Sequence, residues 1–508
     1  MEGRGFRSAS CAALLTTILT MAGCASTGKI APQDSLKDAS TLDAGRAIEA
    51  ATRAADADAA WPDAQWWRAY RDPQLDAWIA RATAGNPTLA MAAARVREAR
   101  EQAGVAHSAL VPHVDGNMSV TRKNWPDNAF YGPGPYADTT TWDNTAGLTL
   151  SYNLDLWGRD EHAADRALDV AHVRAADARA AQLELETNVV RAYIGFSQSF
   201  ALLDIAQQTY AQQERIAELA RRRLKGGLGT QLEVSQAEAP LPEYERQVDL
   251  YKEAIQLARH QLAALAGEGP GAGEALTRPA LSLATPLPLP SSLPAELVGH
   301  RPDIVAARWM VAAQARGIDV AKAQFYPNIN LAASVTQMFA GGALLSFLTS
   351  KATGYAFGPA LSLPIFEGGR LRAQLGAASA QYDQAVDHYN ATLVAALKDI
   401  ADQVVRVQSL DTQLDASGRS VAAARKNYDL ANEGYKRGLT DYVNVLIAQA
   451  QLLRAQDGEA RVRAARLAAY ATLTAALGGG IDDPANGPEE AKLAPSKHIG
   501  PFARAGEK

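Results

Sequence analysis

The sequence of 508 residues repeats itself once, at an offset of 215 residues early in the chain and 211 residues later. The matching segments are Asn86-Pro87 with Arg301-Pro302, Val111-Pro112 with Tyr326-Pro327, Leu156-Trp157-Gly158-Arg159 with Ile365-Phe366-Glu367-Gly368-Gly369-Arg370, and Gly227-Leu228 with Gly438-Leu439. Such a long period indicates a duplicated half and not a solenoid repeat. We therefore predict two repeats, at 61–266 and 301–480, joined by a proline-rich connector at 267–300.

Each repeat contains one long stretch that is free of proline and rich in Ala, Leu, Gln, Glu and Arg, which are strong helix formers. These stretches predict helices at 159–225 and 370–437, each roughly 100 Å long at about 1.5 Å per residue. Glycine turns follow, and then second helices at 230–266 and 441–477. Each repeat thus predicts an antiparallel helical hairpin. Pro240 and Pro242 should kink or interrupt the first returning helix, because proline lacks the backbone donor.

Before each long helix, apolar and polar residues alternate with the period of a strand. We predict strands at about 110–124, 143–156, 326–340 and 353–365. Two interpretations stay open: a soluble sandwich, or a membrane barrel whose strands end in aromatic girdles. The aromatic residues near the strand ends are Trp125, Tyr131, Trp142, Trp157, Phe325, Tyr326, Tyr355 and Phe366.

Four strands are too few to close a membrane barrel, which needs about eight. An open edge in lipid would also leave backbone groups without hydrogen bonds. A membrane-spanning chain of this kind must therefore oligomerise. Two copies would give eight strands with a filled interior, and three would give twelve strands with room for a pore, so a conduit favours three.

The N-terminus has the features of a secretory signal peptide at 1–23, with Arg4 and Arg7 before a short apolar core. Met21-Ala22-Gly23-Cys24 resembles a bacterial lipoprotein cleavage site, and the alternative is a plain signal with an incidental cysteine. The first interpretation predicts that Cys24 is the lipid anchor, followed by a linker at 24–60, and Ala25 then favours the outer membrane. The tail at 481–508 is predicted to be mobile.

Composition excludes several other classes of protein. The formal net charge of -5 gives no case for a nucleic-acid partner, and two cysteines exclude a disulfide scaffold. No catalytic motif is present, and no cofactor site is expected. His162, Asp165, Asp169 and His172 share one helical face that a metal would suit. A solvated charged face explains this row equally well, so we predict no metal site.

Several motifs taken together resemble the TolC-type outer membrane factors, in the lipoprotein branch often called NodT-like. The motifs are Trp66-Trp67, Asp72-Pro73-Gln74-Leu75, Asn86-Pro87, Leu154-Asp155-Leu156-Trp157-Gly158-Arg159, Arg301-Pro302-Asp303-Ile304, Pro327-Asn328-Ile329, Pro364-Ile365-Phe366-Glu367-Gly368-Gly369-Arg370 and Tyr435-Lys436-Arg437-Gly438-Leu439-Thr440-Asp441-Tyr442. Within that branch the chain looks most similar to components of fusaric acid or aromatic acid efflux systems.

The resemblance implies an α+β membrane protein in which each half supplies two barrel strands and a long periplasmic hairpin. It implies a homotrimer with a 12-stranded β-barrel, a 12-helix α-barrel and an equatorial belt, docked to a periplasmic adaptor protein and an inner-membrane pump. The expected function is a passive exit duct for drugs or small toxic organic compounds, held in the outer membrane. The alternative is a periplasmic coiled-coil lipoprotein that acts as a scaffold or adaptor.

The family closes its tube at the hairpin tips, often with a ring of Leu and then a ring of Asp. The matching positions here are Val443 and Ile447, so the resemblance implies an apolar gate with Asp441 as the nearest carboxylate. Their first-half counterparts are Leu232 and Gln236. The alternative is that Val443 and Ile447 are helix-packing residues. The expected tip contacts with the adaptor are Gly227, Tyr435, Lys436, Arg437 and Gly438.

Overall fold

The computed structural model describes residues 27–39, 42, 62–126, 137–282, 300–340, 353–480 and 495. The predicted signal peptide, Cys24, most of the linker, Tyr131, part of the connector and nearly all of the tail lie outside the described residues. In the described part, no helix combines the length and apolar character that crossing a membrane requires.

Both halves follow the same order of elements. The first half contains α1 (Pro73–Gly85), α2 (Pro87–Ser108), β1 (His113–Trp125), β2 (Thr139–Leu154), α3 (Arg159–Lys225), α4 (Gln231–Glu238) and α5 (Leu241–Leu265). The second half contains α6 (Pro302–Ala323), β3 (Asn328–Ala340), β4 (Thr353–Ser362), α7 (Arg370–Lys436) and α8 (Tyr442–Ala476). Short 3-10 helices, Trp66–Tyr70 and Pro270–Ala275, lie before α1 and after α5.

The sequence analysis did not predict the helices that precede the strands, although α1 and α2 have clear start signals. Asp72 and Asn86 are their N-caps, and each is followed by proline at the first helical position. The Asp72 side chain accepts a hydrogen bond from Gln74 N at 3.0 Å, and Asn86 accepts one from Thr88 N at 2.8 Å. Reading these Asx-Pro pairs as capped helix starts would have found both helices.

The four strands form one antiparallel sheet in the order β1-β2-β3-β4. The register aligns the alternating residues across all four strands, so that Val114 lies opposite Leu150, Leu150 opposite Ala333, and Ala333 opposite Phe357. One face is therefore apolar, and its large side chains are exposed in the single chain; they include Val114, Met118, Leu148, Val335, Tyr355, Phe357 and Leu361. The other face carries polar residues such as Asp115, Asn117, Thr149 and Ser334.

The long helices leave the sheet and end far from it. Each has 67 residues, which gives roughly 100 Å at about 1.5 Å per residue. Three main apolar cores lie along them. One packs α6 against α7 and α8, another gathers Trp66, Trp67 and Trp78 against α3 and α5 near mid-length, and the last lies at the tips.

The returning helices differ between the two halves. In the second half α8 is continuous over 35 residues, whereas the first half has two helices, α4 and α5, that meet at Ala239 and Pro240. Pro240 and Pro242 have no N–H, so the carbonyls of Gln236 and Glu238 lose their helical donors there. The interruption lies where these prolines predicted it.

Candidate gate and docking tip

The two hairpin turns have the same backbone geometry. Gly227 and Gly438 take positive φ angles of 71° and 73°. Leu228 N donates to Arg223 O at 2.9 Å, and Leu439 N donates to Gly434 O at 2.8 Å, which is the pattern of a Schellman helix end. The turns project both leucines into solvent, with Leu439 77% exposed. The tip therefore presents an apolar residue from each half.

Tyr435 occupies the interior of the tip and not its surface. Its side chain is 1% exposed and lies 5.5 Å from the Tyr442 ring, measured between ring centroids. Arg223 covers it, with the guanidinium carbon 4.9 Å from the Tyr435 ring centroid. In the single chain, then, Tyr435 is not exposed for the adaptor contact predicted for it, because neighbouring side chains already cover it.

Arg223 also joins the two hairpins through the backbone. Its Nη1 donates to Tyr435 O at 3.2 Å, and its Nη2 donates to Leu228 O at 3.3 Å. One side chain of α3 therefore contacts both turns. The position that matches Arg223 in the second half is Gly434. Glycine has no side chain, so this position of the second half cannot make the same bridge to the first.

The predicted gate residues lie on the exposed side of the helices. Val443 and Ile447 are 47% and 52% exposed, one helical turn apart on α8, while Tyr442 and Val445 of the same helix are buried. Leu232 is exposed on α4, and Gln236 is half-buried one turn further along. Asp441 is exposed at the N-cap of α8 and makes no side-chain capping bond there. Within one chain, then, Val443 and Ile447 are not core residues.

The basic residues at the tip are exposed and share one acidic partner. Arg437 Nε donates to Glu433 Oε1 at 2.8 Å, and Lys436 Nζ lies 4.0 Å from Glu433 Oε2. Since two cations face a single carboxylate, this side of the tip keeps one positive charge.

A buried amide connects the two segments that carry the gate residues. Gln213 of α3 is fully buried, and its Nε2 donates to Ala237 O at 2.6 Å and to Tyr442 Oη at 2.7 Å. Burial raises the pKa of the Tyr442 hydroxyl, which keeps it neutral at physiological pH. The sequence analysis missed both Gln213 and Arg223. Their only signal was a mismatch between the repeats, because Gln213 matches Ala424 in the second half.

The row of His162, Asp165, Asp169 and His172 lies near the other end of α3. The His172 ring packs on Trp309, with centroids 4.2 Å apart, and Asp165 faces Arg316 at 4.0 Å. Over the described residues, no group of three or more His, Cys, Asp or Glu side chains is arranged to hold a metal ion.

Comparison with known proteins bears directly on this architecture. The family model described as outer membrane efflux protein matches residues 78–268 and 293–479, which is one match in each half. The chain belongs to the outer membrane efflux protein family. The fusaric acid resistance protein FusA of Burkholderia cepacia is 63% identical over 368 residues, which cover 72% of this chain and 69% of that protein.

More distant relatives give the same family and fold. The multidrug resistance outer membrane protein MdtP of Escherichia coli (strain K12) is 30% identical over 437 residues, 84% of this chain and 88% of that protein. The outer membrane protein VceC of Vibrio cholerae superposes with a TM-score of 0.76 at 32% identity, covering 83% of this chain and all of that one. The outer-membrane channel OprN superposes with a TM-score of 0.75 at 26% identity, covering 90% of this chain and 99% of the other.

The prediction of an outer membrane efflux channel with the TolC-type fold is confirmed by these matches. In this chain the fold consists of the four-stranded sheet, with its exposed apolar face, and the long helical hairpins. The family and the fold are those of passive outer membrane channels and not of enzymes. The alternative prediction was a periplasmic scaffold or adaptor, and the chain belongs instead to the outer membrane efflux protein family.

Proposed function

We propose that three copies of this chain form a passive exit duct that spans the outer membrane and reaches into the periplasm. The observation that carries this proposal is the sheet. One of its faces is apolar and exposed, and among the described strands β1 and β4 each pair on one side only. An apolar face suits lipid, and lipid does not tolerate open strand edges. Three sheets joined edge to edge would give a closed wall of twelve strands with room for a pore.

In this assembly the duct performs no chemical step, and an inner-membrane pump supplies the energy. The helical hairpins, each roughly 100 Å long, would form a periplasmic tube that leads from the pump side to the sheet. An adaptor protein would dock at the tips. Gly227 and Gly438 keep the turns narrow there, Leu228 and Leu439 offer apolar contacts, and Lys436 and Arg437 add positive charge; their exposure in the single chain supports this role.

The N-terminal strap, residues 27–39, supports the proposed lipid anchor at Cys24. Gln33 N and Asp34 N donate to Asp383 Oδ1 at 2.9 and 3.2 Å, and Lys37 N donates to Asn390 Oδ1 at 2.8 Å. The strap therefore runs along α7 away from the sheet. Asp383 lies about 20 Å along α7 from its start at the sheet, at about 1.5 Å per residue. Nine residues separate Cys24 from Gln33 and span up to about 30 Å, which is long enough for a lipid on Cys24 to reach the membrane level.

The proposed cargo is fusaric acid or a related small aromatic acid. The support is the 63% identity to the fusaric acid resistance protein of Burkholderia cepacia. Deleting the gene should raise sensitivity to fusaric acid, and restoring it together with its pump should reverse the effect. If the deletion leaves sensitivity to fusaric acid unchanged but raises sensitivity to other organic compounds, those compounds are the cargo.

The proposed gate consists of Val443 and Ile447, because an apolar constriction stays closed to water and ions by dewetting. The purified protein in planar lipid bilayers tests the proposal. A double variant, Val443→Ala with Ile447→Ala, should conduct more in the closed state than the wild type. The control is Val405→Ala, because Val405 is also an exposed valine but lies on α7, far from the tip. Equal closed-state conductance of all three proteins would show that Val443 and Ile447 do not form the gate.

A further inference from the structure

The tip core contains one polar side chain that contacts both gate-bearing segments. Gln213 extends from α3, a helix that carries none of the proposed gate residues. Its amide nitrogen has two hydrogens, and the two hydrogen bonds at 2.6 and 2.7 Å use one each. The acceptors are Ala237 O, near the end of α4, and the hydroxyl of Tyr442, the first residue of α8.

Each acceptor lies beside proposed gate residues. Ala237 directly follows Gln236, and Leu232 lies on the same short helix. Tyr442 directly precedes Val443, and Ile447 follows one turn later. A shift of either segment relative to α3 would break one of the two hydrogen bonds. Gln213 thus fixes two gate-bearing segments against a single long helix.

The interruption of the first returning helix explains why such a tether is needed there. Pro240 and Pro242 lack the backbone N–H groups that would continue the helix just beyond Ala237. As a result, α4 is a helix of only eight residues, separated from α5. A short helix holds its position through tertiary contacts more than through its own hydrogen bonds. In the second half α8 is continuous, and Ala424 occupies the position that matches Gln213.

We propose that Gln213 is a positioning residue of the gate, holding α4 and the start of α8 in the closed arrangement through Ala237 and Tyr442. The bonds lie in a core from which water is excluded, since Gln213 and Tyr442 are both buried. Breaking them leaves buried polar groups without partners, which penalises the closed arrangement more than an open, hydrated one. This inference rests on the gate proposed above.

The test uses the full-length protein in planar bilayers. It records the open probability of the channel with no adaptor or pump added. Gln213→Leu removes both hydrogen bonds at similar volume and should raise the open probability about tenfold, the shift expected from two ordinary hydrogen bonds. Tyr442→Phe removes only one acceptor and should raise it about threefold. Gln213→Glu keeps the shape and can still accept a hydrogen bond from the Tyr442 hydroxyl, but it cannot donate to Ala237 O, so it should also raise the open probability.

Gln449 provides a matched control. It is a glutamine on α8, 2% exposed, and within the described structure neither of its amide atoms has a hydrogen-bond partner. Gln449→Leu should leave the open probability unchanged, because no tether is lost. A merely structural role for Gln213 would lower the heat resistance of the assembly without changing gating, so the melting temperature of each variant is measured in parallel.

The outcomes separate this inference from the gate proposal. If Val443→Ala with Ile447→Ala changes the closed-state conductance but Gln213→Leu does not change the open probability, Gln213 does not position the gate. If neither variant has an effect, the gate itself lies elsewhere. An increase in open probability for Gln213→Leu and Gln449→Leu alike would also overturn the inference, because it would reflect general loosening of the core.

Discussion

The tip turns depend on two glycines whose backbone conformations other residues rarely adopt. Gly438 has a φ of 73° and would face open space if it carried a Cβ. Gly418 of α7 also faces open space but has an ordinary helical backbone. The two positions therefore differ in backbone conformation and not in room, which makes them a matched pair.

We predict opposite effects of alanine at these two positions. Gly438→Ala should destabilise the tip by roughly 1–2 kcal/mol, the cost of a left-handed conformation for a residue with a Cβ. Gly418→Ala should stabilise α7 by roughly 0.5–1 kcal/mol, because alanine loses less backbone entropy in a helix. Thermal unfolding of the purified variants measures both. Equal shifts of the melting temperature would contradict the backbone explanation.

Arg223 gives a second prediction at the residue scale. Arg223→Met keeps the apolar stem but removes the contacts with Tyr435 O and Leu228 O, so residues 224–229 and 434–439 should exchange their amide hydrogens faster. A net loss of roughly 1–3 kcal/mol is expected for hydrogen bonds from a charged donor. Arg222→Met is the control, because Arg222 is an exposed neighbour whose guanidinium lies 3.6 Å from Glu218, on its own helix. Similar exchange in both variants would show that Arg223 does not hold the turns.

At the scale of elements, the sheet offers a test of which face meets lipid. Leu148 and Thr149 are neighbours on β2, both exposed in the single chain and on opposite faces. Leu148→Lys should impair insertion by about 2–4 kcal/mol if it lies near the bilayer midplane, whereas Thr149→Lys should be tolerated on the polar face. Folding into liposomes, followed by the heat-dependent shift in gel mobility, measures insertion. Equal insertion of both variants would argue against a lipid-facing sheet.

Much of the element order was predictable because two signals are strong in this sequence. Proline-free stretches of helix formers indicated the long helices, and alternation of apolar with polar residues indicated the strands. The helices α1, α2 and α6 were not predicted. Capped Asx-Pro starts mark α1 and α2, whereas Arg301 makes no side-chain capping bond, so proline at the first helical position is the start signal of α6. The burial of Tyr435 was not predictable, because it depends on Arg223, more than 200 residues earlier in the chain.

At the scale of the whole molecule, attachment to the outer membrane has two proposed components. The lipid on Cys24 is one, and the sheet is the other. Acyl chains hold a protein less permanently than segments that span the membrane. We therefore predict that Cys24→Ser still sediments with the outer membrane, in reduced amount, as an oligomer that resists SDS. Recovery of a soluble periplasmic monomer would contradict the spanning sheet.

The contact between β2 and β3 joins the two halves within one chain, with twelve residue pairs in register from Asp143–Ala340 to Leu154–Ile329. In the proposed trimer, β4 of each copy meets β1 of the next at a seam of the same kind. Covalent linkage supplies three of the six seams at high effective concentration, without any diffusional encounter. A ring built from unlinked halves would need six bodies to meet, but this chain needs three. Duplication thus lowers the kinetic order of assembly, and it leaves each half free to diverge at its own tip.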